Sequence, residues 1–163
     1  MATMSDLAKC LVALGLCAGG FLYSEYHSSQ GRKLDGEAGG QLVMVQGVPA
    51  KPGRPVILEF WGTYCGPCVA SIPHLNELHT RFGSRVQFVA VSGEDMGAVK
   101  GFMATHQINY PVAVDPVHAF FKAWNVKSVP TLIFLDSNQK IQWRGHSMEM
   151  TDAKLASLLG GSN

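Results

Sequence analysis

Polar and apolar positions along the chain follow two rhythms. Val56 to Trp61 (VILEFW) is a run of strand formers broken only by Glu59, and it stops at Gly62. Beyond Cys68, Ala70, Ile72, Leu75, Leu78 and Phe82 recur at helical spacing, which predicts a long helix with one apolar face. Pro73 should bend that helix, and Gly83 should end it. Arg85 to Ser92 alternates and then turns continuously apolar, the pattern of a buried strand. Asp95 and Glu94 suit the start of a helix over Met96 to His106. Tyr110 to Asp115 reads as extended, and Val117 to Trp124 as a short helix. Thr131 to Leu135 and Lys140 to Arg144 flank the turn Asp136-Ser137-Asn138-Gln139, as in a hairpin. Thr151 caps a last helix running to Leu159. Gln41 to Gln46 supplies a first strand. The order predicts an α/β domain, a central mixed sheet with helices on both faces.

The N-terminal part differs. Cys10 to Tyr23 is uncharged and mostly apolar, and its 14 residues fall short of the roughly 20 of a membrane span. That length suits the apolar core of a signal peptide, with Lys9 before it and Ala18-Gly19-Gly20 as a cleavage region. Asp6 offsets Lys9, so an uncleaved cytoplasmic helix is the competing reading. Leu16 before Cys17 speaks against lipoprotein processing. Residues 24–40 are rich in Ser, Gly and charge and read as a linker. The expected organisation is therefore an apolar segment at 1–23, a linker at 24–40 and a domain at 41–160. The expected location is exported or membrane-anchored through residues 7–23, with the cytoplasm as alternative.

Composition narrows the chemistry. A formal charge of +1, with scattered charges, gives no basis for binding nucleic acid. A chain of 163 residues allows one ordinary core. Four cysteines are too few for a disulfide scaffold, and Cys10 and Cys17 read as apolar packing residues. No second Cys pair or His cluster completes a metal site, so no metal and no cofactor are expected. The six histidines are scattered, and His74 and His79 read as solvated.

The remaining pair, Cys65-Gly66-Pro67-Cys68, stands where the central strand gives way to the long helix. Unpaired N–H groups and the dipole at a helix N-terminus favour a thiolate at Cys65. Such placement lowers a thiol from about 8.5 to roughly 3.5–7.5. Cys68, one turn in, would be sheltered and near enough for a disulfide. Gly66 lets a substrate approach, and Pro67 fits the first turn, where its missing N–H costs little. Half of a metal site, or two structural cysteines, is the bland alternative.

The longer pattern resembles the thioredoxin superfamily and is most similar to its TlpA/ResA-like thiol–disulfide oxidoreductases. The resemblance runs from Leu42 to Leu159. It rests on Glu59 six residues before Cys65, Pro73 eight after it, and Val129-Pro130-Thr131. The stretch from Glu94 to Trp124 resembles the insertion of TlpA- and peroxiredoxin-like relatives. The resemblance implies a thioredoxin-like fold and a monomer that reduces protein disulfides. Cys65 would attack and Cys68 would resolve the mixed disulfide. The Cys65–Cys68 disulfide would be the sole redox group. Partners would be disulfide-containing clients and an upstream thiol donor. Glu59 would take the Cys68 proton. The Val129–Pro130 bond would be cis, leaving the Val129 backbone free for an extended substrate. Trp61, Tyr64, Gly66, Pro67, Val129 and Thr131 would form the substrate surface, with Trp61 packing beside the site. Thioredoxins set a lysine beside their acid, and Val86 to Ser92 contains none.

Two further classes compete. A peroxiredoxin-like peroxidase needs Thr three residues before its Cys, whereas Thr63 is two before Cys65 and Pro55 is distant. A redox-inert docking module or a metal carrier would use the same fold. Copper carriers of this kind have a longer Cys spacing and a distal His.

Overall fold

The structure, a computed structural model, describes residues 42–160. The apolar segment, the linker, Cys10 and Cys17 lie outside the described residues. Among the described residues, six strands form one mixed sheet in the order β1-β4-β3-β2-β5-β6. They are β1 (Val43–Gln46), β2 (Val56–Trp61), β3 (Gln87–Ser92), β4 (Val112–Val114), β5 (Thr131–Leu135) and β6 (Ile141–Gly145). The helices are α1 (Gly66–Phe82), α2 (Met96–Met103), α3 (Ala119–Ala123) and α4 (Asp152–Gly160), with a 3₁₀ turn at Ser147–Glu149. β2, β3 and β4 run parallel, while β1, β5 and β6 pair antiparallel to their neighbours.

β2 is buried along its whole length because both faces of the sheet are covered. Strand alternation divides its residues. Ile57 and Trp61 join a core with Ile72, Leu75 and Leu78 of α1, Val99 of α2 and Leu155 of α4. Val56, Leu58 and Phe60 join a second core with Phe120 and Trp124, on and just after α3. Each fully buried Leu or Phe contributes about 2 kcal/mol of transfer free energy. The long helix is held mainly by that apolar stripe.

Several expected boundaries shift. β3 begins at Gln87, α3 at Ala119 and β6 at Ile141. α2 ends at Met103, short of His106, because the chain turns there. The N–H groups of Thr105 and His106 both donate to Phe102 O, at 3.1 Å each. Ala70 faces solvent, and Ser71 takes its expected place on the buried face of α1. Pro73 lies inside α1, and Gly83 caps its end. Asp95 caps α2 by accepting from Ala98 N at 2.9 Å. Asp115, itself buried, accepts from the N–H groups of Ala119 and Phe121 and so organises α3. Among the described residues, no helix is long and apolar enough to cross a membrane.

Candidate active site at the end of the central strand

β2 delivers its last residue, Trp61, to a tight corner formed by Gly62, Thr63 and Tyr64. Cys65 N–H donates to Gly62 O at 3.1 Å and closes that corner. Cys65 has extended backbone angles and is the N-cap of α1. Its Sγ accepts from Cys68 N at 3.2 Å, so it meets one of the helix's unpaired donors. Pro67 sits in the first turn, as its lack of an N–H allows. Cys65 and Cys68 are joined by a disulfide, with Cα atoms 5.2 Å apart. The two sulfurs are not equivalent. Cys65 keeps 8% exposure and Cys68 has none, so only Cys65 can be reached from outside.

Around the pair, Tyr64 is 77% exposed, and Gly66 and Pro67 are also exposed. The Tyr64 ring folds back over Gly62, where a Cβ would come within 2.7 Å of it. The Val129–Pro130 peptide bond is cis. Val129 is half-buried and packs against the core cluster that contains both cysteines. Thr131 opens β5 opposite Phe60, and its hydroxyl donates to Ser128 O at 2.7 Å. Trp61 departs from the expected substrate surface. It is 2% exposed and packs on Phe102 at 5.4 Å between ring centroids, so it lies beneath the site. Among the described residues, no group of three or more His, Cys, Asp and Glu could hold a metal ion.

Glu59 is buried on the α1 side of the sheet. Its neighbours on adjacent strands are Ala90 and Leu132, which offer it nothing polar. Tyr110 Oη donates to Glu59 Oε2 at 2.9 Å, and Oε1 has no partner. Burial pushes the carboxyl from 4.5 up to about 7, partly countered by Tyr110 and by Ser147. The Ser147 hydroxyl is close but falls short of hydrogen-bond geometry. Burial, reinforced by the Glu59 charge, drives the Tyr110 phenol well above its usual range.

Sequence reasoning missed two residues here. The first is Tyr110, which meets the acid where a lysine was sought. Its signal was available, because a Tyr in an apolar segment needs a partner for its hydroxyl. The second is Glu94, which grips the corner before Cys65. Thr63 N donates to its Oε2 at 2.7 Å and Thr63 Oγ1 to its Oε1 at 2.6 Å. Ser92 Oγ donates to the same Oε2 at 3.1 Å. Hydrogen bonds to a charged group contribute about 1.5–3 kcal/mol each. Glu94→Ala should therefore lower stability by about 2 kcal/mol and slow disulfide reduction. A denaturant midpoint equal to that of wild type would show that the grip contributes nothing.

Two histidines also differ from expectation. His74 Nε2 bonds Met150 O at 2.9 Å, tying α1 to the segment before α4. His79 is half-buried, edge-on to Phe88 and Tyr110, and burial lowers its pKa. Both are packed into the domain instead of solvated.

A mixed sheet with a paired, one-sidedly accessible Cys-Gly-Pro-Cys at the strand-to-helix corner defines a thioredoxin-like thiol–disulfide oxidoreductase. Comparison with known proteins gives the same class. Residues 33–159 match the Redoxin family, and the chain belongs to it. It is similar to the thiol-disulfide oxidoreductase ResA of Bacillus thuringiensis subsp. konkukian, 30% identical over 145 residues, 83% of this chain and 84% of that protein. ResA of Bacillus cereus is 29% identical over 139 residues, 80% of each chain. Among solved structures, a protein described as a thiol:disulfide interchange protein DsbE from Chlorobium tepidum aligns with a TM-score of 0.64 at 25% identity. That alignment covers 75% of this chain and 96% of the other.

Proposed function

We propose that this protein reduces disulfides in client proteins through the Cys65/Cys68 dithiol. The observation that carries the reading is the asymmetry of the pair, one cysteine keeping 8% exposure at a helix N-terminus and one fully enclosed. In the reduced enzyme the Cys65 thiolate is favoured by the positive end of α1. It attacks one sulfur of the client disulfide. A Cys65–client bond forms, the client S–S bond breaks, and the departing client thiolate takes a proton from solvent. Cys68 then gives its proton to Glu59 and attacks Cys65 Sγ. The Cys65–Cys68 bond forms, the Cys65–client bond breaks, the expelled client thiolate takes a proton from solvent, and two electrons have passed to the client. A carboxyl poised near 7 suits that proton transfer. The exposed Tyr64, Gly66 and Pro67, with the Val129 backbone, form the surface on which an extended client segment rests. Cys65, Cys68, Glu59 and Pro130 are the residues assigned to catalysis.

The cycle needs a thiol donor to regenerate the dithiol and no cofactor besides the cysteines. The protein acts as a monomer, with its domain at 41–160 carried by the linker 24–40 and an exporting or anchoring segment at 1–23. Reduction of insulin by dithiothreitol tests the activity. The expected result is a marked acceleration by the full chain, and no acceleration would overturn the reading. Equilibration with glutathione tests the direction, since a potential in the range of strong protein oxidants would reverse it.

A further inference from the structure

We propose that Tyr110 is a positioning residue for the dithiol chemistry: its hydroxyl clamps Glu59 by Oε2 and leaves Oε1 as the oxygen that receives the Cys68 proton. This rests on the assignment of Glu59 as acceptor of that proton.

The argument starts from the partners of the carboxyl. A buried carboxylate needs a donor, and among the described residues the one hydrogen bonded to Glu59 is Tyr110 Oη. That bond occupies one oxygen and leaves the other bare and enclosed. A carboxylate in this arrangement takes a proton most readily on Oε1, because the bond from Tyr110 lowers the basicity of Oε2 and Oε1 carries no such bond. Once Oε1 is protonated, Oε2 is a carbonyl-like acceptor and Tyr110 still donates to it. The clamp therefore holds in both protonation states, and the carboxyl need not turn as the proton arrives. A lysine would act differently, because its full charge would bind the ionised form far more tightly than the neutral one.

Tyr110 is itself rigidly held. It is 1% exposed, its ring lies against Phe88 and His79, and Gln46 Nε2 of β1 donates to Tyr110 O at 3.0 Å and Ile108 O at 2.8 Å. The other groups around the dyad are few. α1 carries Cys68, which belongs to the same core cluster as Tyr110, and, across the Tyr110 ring, His79 with its centroid 6.0 Å away. The 3₁₀ turn presents Ser147. Glu94, beyond the end of β3, is committed to Thr63 and Ser92. No cation contributes to the shift of Glu59. The phenol stays protonated across the working pH range, so it remains a donor throughout.

Tyr110→Phe keeps the ring and removes only the hydroxyl. In the oxidised full chain, carboxyl-carbon NMR should show Glu59 titrating about one pH unit higher, tenfold in proton affinity. The acidic limb of the pH profile for insulin reduction should move upward with it. An unmoved Glu59 titration would overturn the clamp. A moved titration with an unmoved pH profile would instead overturn the assignment of Glu59 as the proton acceptor for Cys68. Wild type gives a second test that needs no substitution. The Tyr110 ζ-carbon resonance should inflect with the Glu59 titration near pH 7, and a flat response would also sink the proposal.

Discussion

Replacing Cys68 with serine should leave the protein able to attack disulfides and unable to let go of them. The Cys68→Ser chain is expected to accumulate covalent complexes with client proteins, visible as reducible bands on non-reducing gels. Cys65→Ser should form none and should lose insulin reduction entirely. The asymmetry follows from access, since Cys68 is enclosed and Cys65 is not. Equal trapping by both variants would mean that the enclosed sulfur can be reached and that the two roles are not distinct. Turnover retained in Cys65→Ser would remove the nucleophile from the scheme altogether.

Glu59→Gln is expected to act on rate and on stability together. On rate, the loss should fall on resolution of the mixed disulfide and approach 100-fold at neutral pH, the low end for general acid–base catalysis. On stability, the sign follows from linkage. The folded protein holds the Glu59 proton up to about pH 7, whereas an unfolded chain releases it near 4.5. Between those values the folded state binds more protons, so its stability is fully present below 4.5 and is lost as pH rises through 7. The difference is about 3 kcal/mol. His79, lowered by burial, works in the opposite sense, its contribution present above its unfolded value of 6.5 and lost as pH falls from there through its lower folded value. Comparison of the variant with wild type isolates Glu59. Urea unfolding of the oxidised protein at pH 5 and pH 9 should show that Glu59→Gln shrinks the loss of stability at the higher pH. An identical pH dependence in the two chains would mean that the carboxyl is not held in its neutral form.

The features legible from sequence were those with a local cause. The VILEFW run, the helical spacing after Cys68 and the turn Asp136 to Gln139 each carry their own period or turn chemistry, and each stands where expected apart from Ala70, which faces solvent. The cysteine pair was equally plain, because its meaning lies in a spacing of three and a strand before it. Element ends were less legible. The end of α2 is fixed by turn hydrogen bonds to Phe102 O, which periodicity does not report. Contacts between residues far apart in sequence were not visible. Tyr110 reaches Glu59 across 51 positions, and Glu94 reaches Thr63 across 31. Both depend on the parallel pairing of β2, β3 and β4, which places the ends of these strands side by side. Trp61 packs beside the site as expected, but it does not reach the surface assigned to substrate, for a similar reason. Its neighbour in sequence is the active corner, but the pleat turns its ring inward onto Phe102.

The unequal shelter of the two sulfurs also constrains traffic through the protein. In the proposed cycle, with one of them sealed, electrons enter and leave through a single atom. The molecule that recharges the enzyme and the molecule that it serves must use the same doorway by turns. An excess of either one therefore obstructs the other. Such an enzyme obeys alternating, ping-pong kinetics, and its throughput depends on the balance between supply and demand as much as on the speed of either exchange.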